Sequence, residues 1–318
     1  VRTSRLAPAK VNLSLLVGPA DTRGYHEVFT VLVPVEMYDR LDFDLEARPA
    51  PSPLQELHVR CHAVDGEANL VAQALRALER TTGWVLTGRV HIDKGIPMGA
   101  GMGGGSTDAA VALRVGAEAL AVAGGPLPDE AALRALARGL GADVPFFLHP
   151  RPAIGRGIGD ILEPLDLPAL VLVLVLPSSH LSTAHVYRAL DEARAVRPEA
   201  AAQRAERSQG SSADFAARAA AAEAAWRRVR TVADVGPLLQ NDLEPISLGL
   251  LPGLAAVKRT LLEAGAQGAM MSGSGPTVFA VCATEAEAAT VAEAVRARGY
   301  QVEIAPVLGP PRSRAHGG

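Results

Sequence analysis

The sequence predicts an α+β chain of two domains, and three observations carry that expectation. At 318 residues with 48% hydrophobic content, the chain suits two domains of ordinary size, or one large one, with ample apolar material for cores. Alternating or apolar runs bounded by turn residues recur at both ends, at 7–17, 28–35, 41–45, 169–176, 278–282 and 301–305, as strands do. Between them lie stretches at helical spacing, such as Leu70, Ala74, Leu75 and Leu78, or Ala109, Leu113, Ala117 and Leu120. The glycine-dense hairpin or loop Ala153 to Ile161 places the boundary close after it, giving domains 1–163 and 164–318.

In order, the strand from Ala7 to Val17 sets Val11, Leu13 and Leu15 on one face and Lys10, Asn12 and Ser14 on the other. That second face reads either as solvated or as functional. After Gly18-Pro19 comes Arg23-Gly24-Tyr25-His26-Glu27, then strands at 28–35 and 41–45, a turn-rich connection at 49–53 and strand again at 57–59. Asn69 to Leu78 reads as helix.

A β-like segment holding Val90 and Ile92 then enters Lys94-Gly95-Ile96-Pro97 and a loop with Gly99, Gly101, Gly103, Gly104 and Gly105, five glycines in seven positions. Without Cβ atoms the backbone can turn its N–H groups inward. Ser106 or Thr107 is expected to cap a helix starting immediately after, whose first turn offers unpaired N–H groups and partial positive charge. Such a loop suits phosphate; the plain alternative is a flexible linker, which would lack the capped helix behind it. No Gly-Lys-Ser/Thr closes the loop, so it is not a Walker loop, and no acidic residue ends a following strand as a dinucleotide fingerprint requires.

Behind it, Gly124-Gly125 ends the first helix, and Asp129 after Pro128 opens another to Leu140. Asp143 follows in Gly141-Ala142-Asp143-Val144-Pro145, flanked by Val144, Phe146 and Phe147; it reads as a reactive carboxylate, a helix cap or an Asx turn. Ser182-Thr183-Ala184 precedes a helix with Tyr187 and Leu190. From about 193 to 230 the chain is Ala/Arg-rich, anchored mainly by Phe215 and Trp226 and broken at Gly210-Ser211-Ser212 into two helices or an excursion. Asn241 to Pro245 leads to a helix near 253–263. Then Gly268 to Phe279 reads as strand, tight Ser272-Gly273-Ser274-Gly275 turn, strand, rather than a Ser/Gly linker. A helix at 285–298, a last strand and a disordered tail PPRSRAHGG complete the pattern.

Composition narrows the class. A net charge of −3, without a basic stripe interleaved with aromatics, argues against a nucleic-acid partner. Cys61 and Cys282, far apart and without ligand neighbours, read as buried free thiols of a reducing compartment. The first ten residues hold no apolar signal core, and the most apolar run, 167–176, falls short of the ~20 residues that cross a bilayer. The chain is therefore expected to be soluble and cytoplasmic, with no membrane partner. Lysine occurs only at 10, 94 and 258 among 31 cationic residues, so it is expected where a compact, tunable charge is needed.

Three separated motifs, Pro8-Ala9-Lys10-Val11-Asn12-Leu13, the Pro97–Thr107 loop and Ser272-Gly273-Ser274-Gly275, resemble in order the three motifs of the GHMP kinases, which phosphorylate small alcohols and acids. Gly24-Tyr25-His26 and the turn around Asp143 resemble more closely the branch acting on a cytidylated methylerythritol. The resemblance covers nearly the whole chain except the Ala/Arg-rich stretch and the tail. It implies a ribosomal protein S5 domain 2-like N-terminal domain and a ferredoxin-like C-terminal one. The implied reaction is ATP-dependent phosphorylation of the 2-hydroxyl of 4-diphosphocytidyl-2-C-methyl-D-erythritol, in non-mevalonate (MEP pathway) isoprenoid synthesis. ATP and magnesium (Mg2+) are the implied cofactors, the metal's ligands are not identified, and the chain is a monomer or homodimer.

By the same resemblance Asp143 is the general base and Lys10 its cationic partner. Pro97, Gly99, Gly101, Gly103, Gly104, Gly105, Ser106 and Thr107 hold ATP, and Asn69 and Lys94 line the nucleotide site. Tyr25 and His26 meet the cytosine, Tyr187 stacks on it, and Asn12 lies near the erythritol end. Thr183, Ser272, Gly273 and Ser274 complete the substrate set. Met102 stands for the family's usual leucine, a volume-conserving change. Competing readings are a homoserine or mevalonate kinase, which lacks the Gly-Tyr-His element; an ATP-binding sensor, which has no use for a Lys10–Asp143 pair; and a structural protein, which leaves the glycine loop unexplained.

Overall fold

The computed structural model describes residues 1–22, 24–50, 56–62, 64–195 and 211–309. Part of the 193–230 stretch, residues 196–210, and the tail 310–318 lie outside them, as does most of the 49–53 connection. The strands are β1 (Arg2–Ala20), β2 (His26–Pro49), β3 (Leu57–Cys61), β4 (Trp84–Asp93), β5 (Ala153–Arg156), β6 (Ile161–Pro164), β7 (Val171–Val175), β8 (Gln240–Asn241), β9 (Gly268–Met271), β10 (Val278–Cys282) and β11 (Val302–Pro306). The helices are α1 (Leu70–Thr82), α2 (Gly104–Val122), α3 (Glu130–Leu140), α4 (Val144–Leu148), α5 (Thr183–Ala195), α6 (Ser212–Trp226), α7 (Glu244–Leu250), α8 (Gly253–Glu263) and α9 (Glu285–Arg296).

The described residues form two compact units, each drawn from several stretches. Unit 1 comprises Val1–Ala9, Met37–Met98 and Gly103–Pro150; unit 2 comprises Lys10–Glu36, Gly99–Met102 and the chain from Arg151 onward. The long strands β1 and β2 therefore contribute residues to both.

In unit 1, β4 pairs antiparallel with the far half of β2, from Arg40↔Asp93 to Pro49↔Trp84, and parallel with β3. Leu41, Phe43 and Leu45 of β2, Leu86, Val90 and Ile92 of β4, and Leu75 and Leu78 of α1 are all buried, as the period-2 and helical patterns require. Asn69 caps α1 by accepting from the Val71 N–H, and Asp129 caps α3 by accepting from Ala132 N–H.

In unit 2, β11-β7-β10-β9 form a four-stranded antiparallel sheet against which α8 and α9 bury Leu254, Val257, Leu261, Val291 and Val295. The near half of β2 pairs with β5, β5 forms a hairpin with β6, and β8 runs parallel to β1 at Ser14↔Gln240. Phe215 and Trp226 are buried anchors of α6, as read from sequence. Salt bridges from Arg156 and Arg227 to Glu163 and Glu223 tie α6 to the β5–β6 hairpin.

Two sequence expectations change here. The strands at 28–35 and 41–45 are one continuous strand: residues 28–35 are buried on both faces, so alternation vanishes, and Glu36 to Asp39 only looked like a break. The short helix α7 was not anticipated, since Glu244-Pro245 reads as a turn although Pro suits a first helical turn.

Candidate active site

The glycine loop delivers the helix start, though not by the capping expected. α2 begins at Gly104, its N-cap is Gly103 at φ +73°, and no side chain caps it. Ser106 and Thr107 thus lie inside the first turn. A left-handed glycine turns the chain sharply enough that capping needs no hydroxyl. Thr107 N–H is already bonded to the Gly103 carbonyl at 2.9 Å, while the N–H groups before it precede the first intrahelical bond. Gly105 there is exposed and Ser106 half-buried.

Two buried carboxylates that the sequence reading passed over meet the half-buried Lys94 in the same unit. Lys94 Nζ bonds Asp39 and lies 2.9 Å from Asp108 Oδ2. Burial opposes the Lys94 charge, but the Asp108 and Asp39 carboxylates outweigh it and hold the ammonium above the ordinary lysine value. Asn69, besides capping α1, donates to the Val64 carbonyl at 2.8 Å. Asp143 occupies the N-cap position of α4, half-buried, but makes no side-chain cap bond, so the helix-cap reading does not describe its carboxylate.

In unit 2, the polar face of β1 is buried rather than solvated. Lys10 and Asn12 are 5% exposed and Ser14 is fully covered. Lys10 Nζ donates to Asn12 Oδ1 at 2.7 Å, Asn12 Nδ2 donates to Thr30 Oγ1 at 2.8 Å, and Thr30 donates to the Ser14 carbonyl at 2.7 Å. Asn12 is thereby locked in one amide orientation, its oxygen toward the lysine.

The Ser272–Gly275 turn meets this face. Asn12 N–H donates to Ser272 Oγ at 3.3 Å. Gly273 has φ +58°, and a Cβ there would lie 3.3 Å from Asn12 Oδ1 and 3.6 Å from Lys10 Nζ. A Cβ at Gly101 (φ +73°) would fall 2.8 and 2.9 Å from the Ser272 and Gly275 carbonyl oxygens, so this loop glycine is required by close approach. Two residues without an assigned role hold the turn: Asn241 Nδ2 donates to the Met271 and Gly273 carbonyls, and Ser247 donates to that of Ser274.

The proposed substrate residues cluster in pairs within unit 2. Thr183 Oγ1 and Ser274 Oγ are 2.8 Å apart. His26 and Tyr187 rings lie 5.0 Å apart, tilted by 47°, and Asp191, one turn beyond Tyr187 on α5, bonds His26 Nε2 at 2.9 Å. Tyr25 is 59% exposed. Asp39, Asp108, Thr30 and Asn241 escaped sequence reading because a single polar residue outside a motif carries no spacing signal; Asp108 alone directly follows one, the loop that ends at Ser106-Thr107. No helix among the described residues is long and apolar enough to cross a membrane.

Two family models match the chain, the GHMP kinases N terminal domain at residues 69–151 and the GHMP kinases C terminal domain at residues 217–301. The glycine loop falls in the first and the Ser-Gly-Ser-Gly turn in the second, so the class is a GHMP small-molecule kinase with that family's two-domain α+β fold. A 4-diphosphocytidyl-2-C-methyl-D-erythritol kinase of Anaeromyxobacter sp. (strain K) is 40% identical, over 96% of this chain and 90% of its own. A crystal structure of 4-(cytidine 5'-diphospho)-2C-methyl-D-erythritol kinase is 34% identical over 96% of this chain and all of its own, with a TM-score of 0.72. By these likenesses the chain belongs to the 4-diphosphocytidyl-2-C-methyl-D-erythritol kinase family. The L. major mevalonate kinase, at 16% identity and a TM-score of 0.70 over 98% of both chains, shares the fold alone.

Proposed function

We propose that this protein transfers the γ-phosphoryl group of ATP to the 2-hydroxyl of 4-diphosphocytidyl-2-C-methyl-D-erythritol, a step of the non-mevalonate (MEP) route to isoprenoids. The observation that carries the reading is the near full-length identity to kinases named for that acceptor, 40% in one and 34% in another. The local geometry supports it. A glycine-flanked helix start with N–H groups ahead of its first intrahelical bond suits the β- and γ-phosphates.

In this reading the alcohol loses its proton to Asp143 as its oxygen attacks the γ-phosphorus, and the bond from that phosphorus to the bridging oxygen of ADP breaks. Lys10, oriented by Asn12, assists Asp143 and offsets charge gathering on the transferring group. Asn69 and Lys94 belong to the nucleotide site. Tyr25, His26 and Tyr187 receive the cytosine, and Thr183, Ser272, Gly273, Ser274 and Asn12 the rest of the acceptor.

Magnesium is the metal that the family implies. Among the described residues no group of three or more His, Cys, Asp or Glu could hold a metal ion. Magnesium commonly retains waters and is carried by phosphates.

Asp143→Asn tests the reading. The amide cannot accept the proton, so kcat is expected to fall by about 10²-fold or more, with nucleotide affinity measured by calorimetry held near the parent value. Near-normal turnover would remove Asp143 from the mechanism.

A further inference from the structure

The carboxylate group against the start of α2 has no part in the chemistry above. Asp39, fully buried on β2, accepts through Oδ1 from the backbone N–H groups of Gly95 and Ile96, both at 2.8 Å, and through Oδ2 from Lys94. Lys94 Nζ also donates to Oδ2 of Asp108, on the second turn of α2. Two carboxylates thus share one ammonium in the interior. The other Asp108 oxygen, Oδ1, is buried with no hydrogen-bond partner.

This group lies directly against the first helical residue. A Cβ at Gly104 would sit 3.1 Å from Lys94 Nζ and 3.3 Å from Asp39 Oδ2. Fully ionised, two carboxylates and one ammonium carry a net negative charge, which burial penalises. That charge also competes with a bound anion for the positive end of the helix. A proton on the carboxylate pair removes both costs.

We propose that Asp39, Lys94 and Asp108 form a positioning unit for the phosphate-holding start of α2, and that the carboxylate pair takes up one proton when phosphate binds there. The inference rests on the glycine loop being the nucleotide site. The proton comes from solvent and ends on a carboxylate oxygen, for which the unpartnered Asp108 Oδ1 is the open position. The charged groups acting on Asp108 are Lys94 and Asp39; burial first, and then the Asp39 charge, push it up to about 7 against the pull of Lys94. Binding of proton and phosphate is then reciprocal: nucleotide raises the carboxyl's proton affinity, and rising pH weakens nucleotide binding.

The test compares the pH dependence of KM for Mg-ATP in the parent and in Asp108→Asn, which cannot ionise. Between pH 6.5 and 8.5 the parent value is expected to rise by about threefold to tenfold, and the variant's slope to be less than half as steep on a logarithmic scale. ATP's own titration is common to both proteins, and a purely structural role would shift KM without flattening its slope. Equal slopes would overturn the proposal. Calorimetry of ATP binding to the parent, in two buffers of different ionisation enthalpy, is the second measurement should Asp108→Asn not fold. Net proton uptake near pH 7.5 supports the pairing, and its absence overturns it. A parent that binds no ATP refutes the nucleotide-site reading itself, whereas ATP turnover with equal slopes refutes only the carboxylate pair.

Discussion

At the residue scale, the proposed function depends on single side chains placed by the elements that carry them and by their neighbours. Tyr187 illustrates this, because its position beside His26 is set by α5, which also supplies Asp191 to bond the imidazole. Loss of a base-stacking ring costs about 1–3 kcal/mol per base. Tyr187→Ala is therefore expected to raise KM for the cytidylated acceptor by about tenfold while leaving KM for ATP near the parent value. An equal effect on both substrates in steady-state kinetics would contradict the stacking role. Residues of this kind could be singled out in sequence where they stood inside a motif, as Lys10 and His26 did, whereas Tyr187 was named by resemblance alone. Asp39 was not, because a buried aspartate in a strand and a surface one have the same sequence neighbours; only the Gly95 and Ile96 N–H groups aimed at it reveal its burial.

At the element scale, several residues of the proposed site stand at helix starts, and those helices begin by different means. α1 is capped by the Asn69 side chain, α3 by Asp129, and α2 by the conformation of Gly103 alone. The rule that a hydroxyl next to a helix pattern is its cap failed at Ser106 and Thr107 because a left-handed glycine had already turned the chain. Asn69 caps α1 and is proposed for the nucleotide site, and the two roles can be separated. Asn69→Ala removes the acceptor for Val71 N–H and the donor to Val64, and is expected to lower stability by about 0.5–2 kcal/mol. Asn69→Asp retains the cap and is expected to recover most of that loss in denaturant unfolding. If KM for ATP stays raised in the aspartate variant after stability returns, the amide itself serves the nucleotide; full recovery of both would confine Asn69 to capping.

At the scale of the whole molecule, the order of elements was legible because most strands and helices obey simple periods, and three short motifs in one order pointed to one family. What periodicity could not supply was how the chain is shared between units. The far part of β1, from Lys10, the near part of β2, to Glu36, and the four residues Gly99–Met102 group with the later part of the chain, a consequence of strands long enough to serve two cores. Fold likeness does not choose the acceptor, since a mevalonate kinase shares this fold at 16% identity. Acceptor choice is thus the central claim, and ADP release with Mg-ATP measures it most directly, offering 4-diphosphocytidyl-2-C-methyl-D-erythritol beside homoserine and mevalonate in separate assays. Turnover confined to the cytidylated acceptor is the predicted result. Turnover on homoserine or mevalonate instead would contradict the assignment of Tyr25, His26 and Tyr187 to a cytosine, and bound ATP without turnover on any acceptor would contradict the kinase reading as a whole.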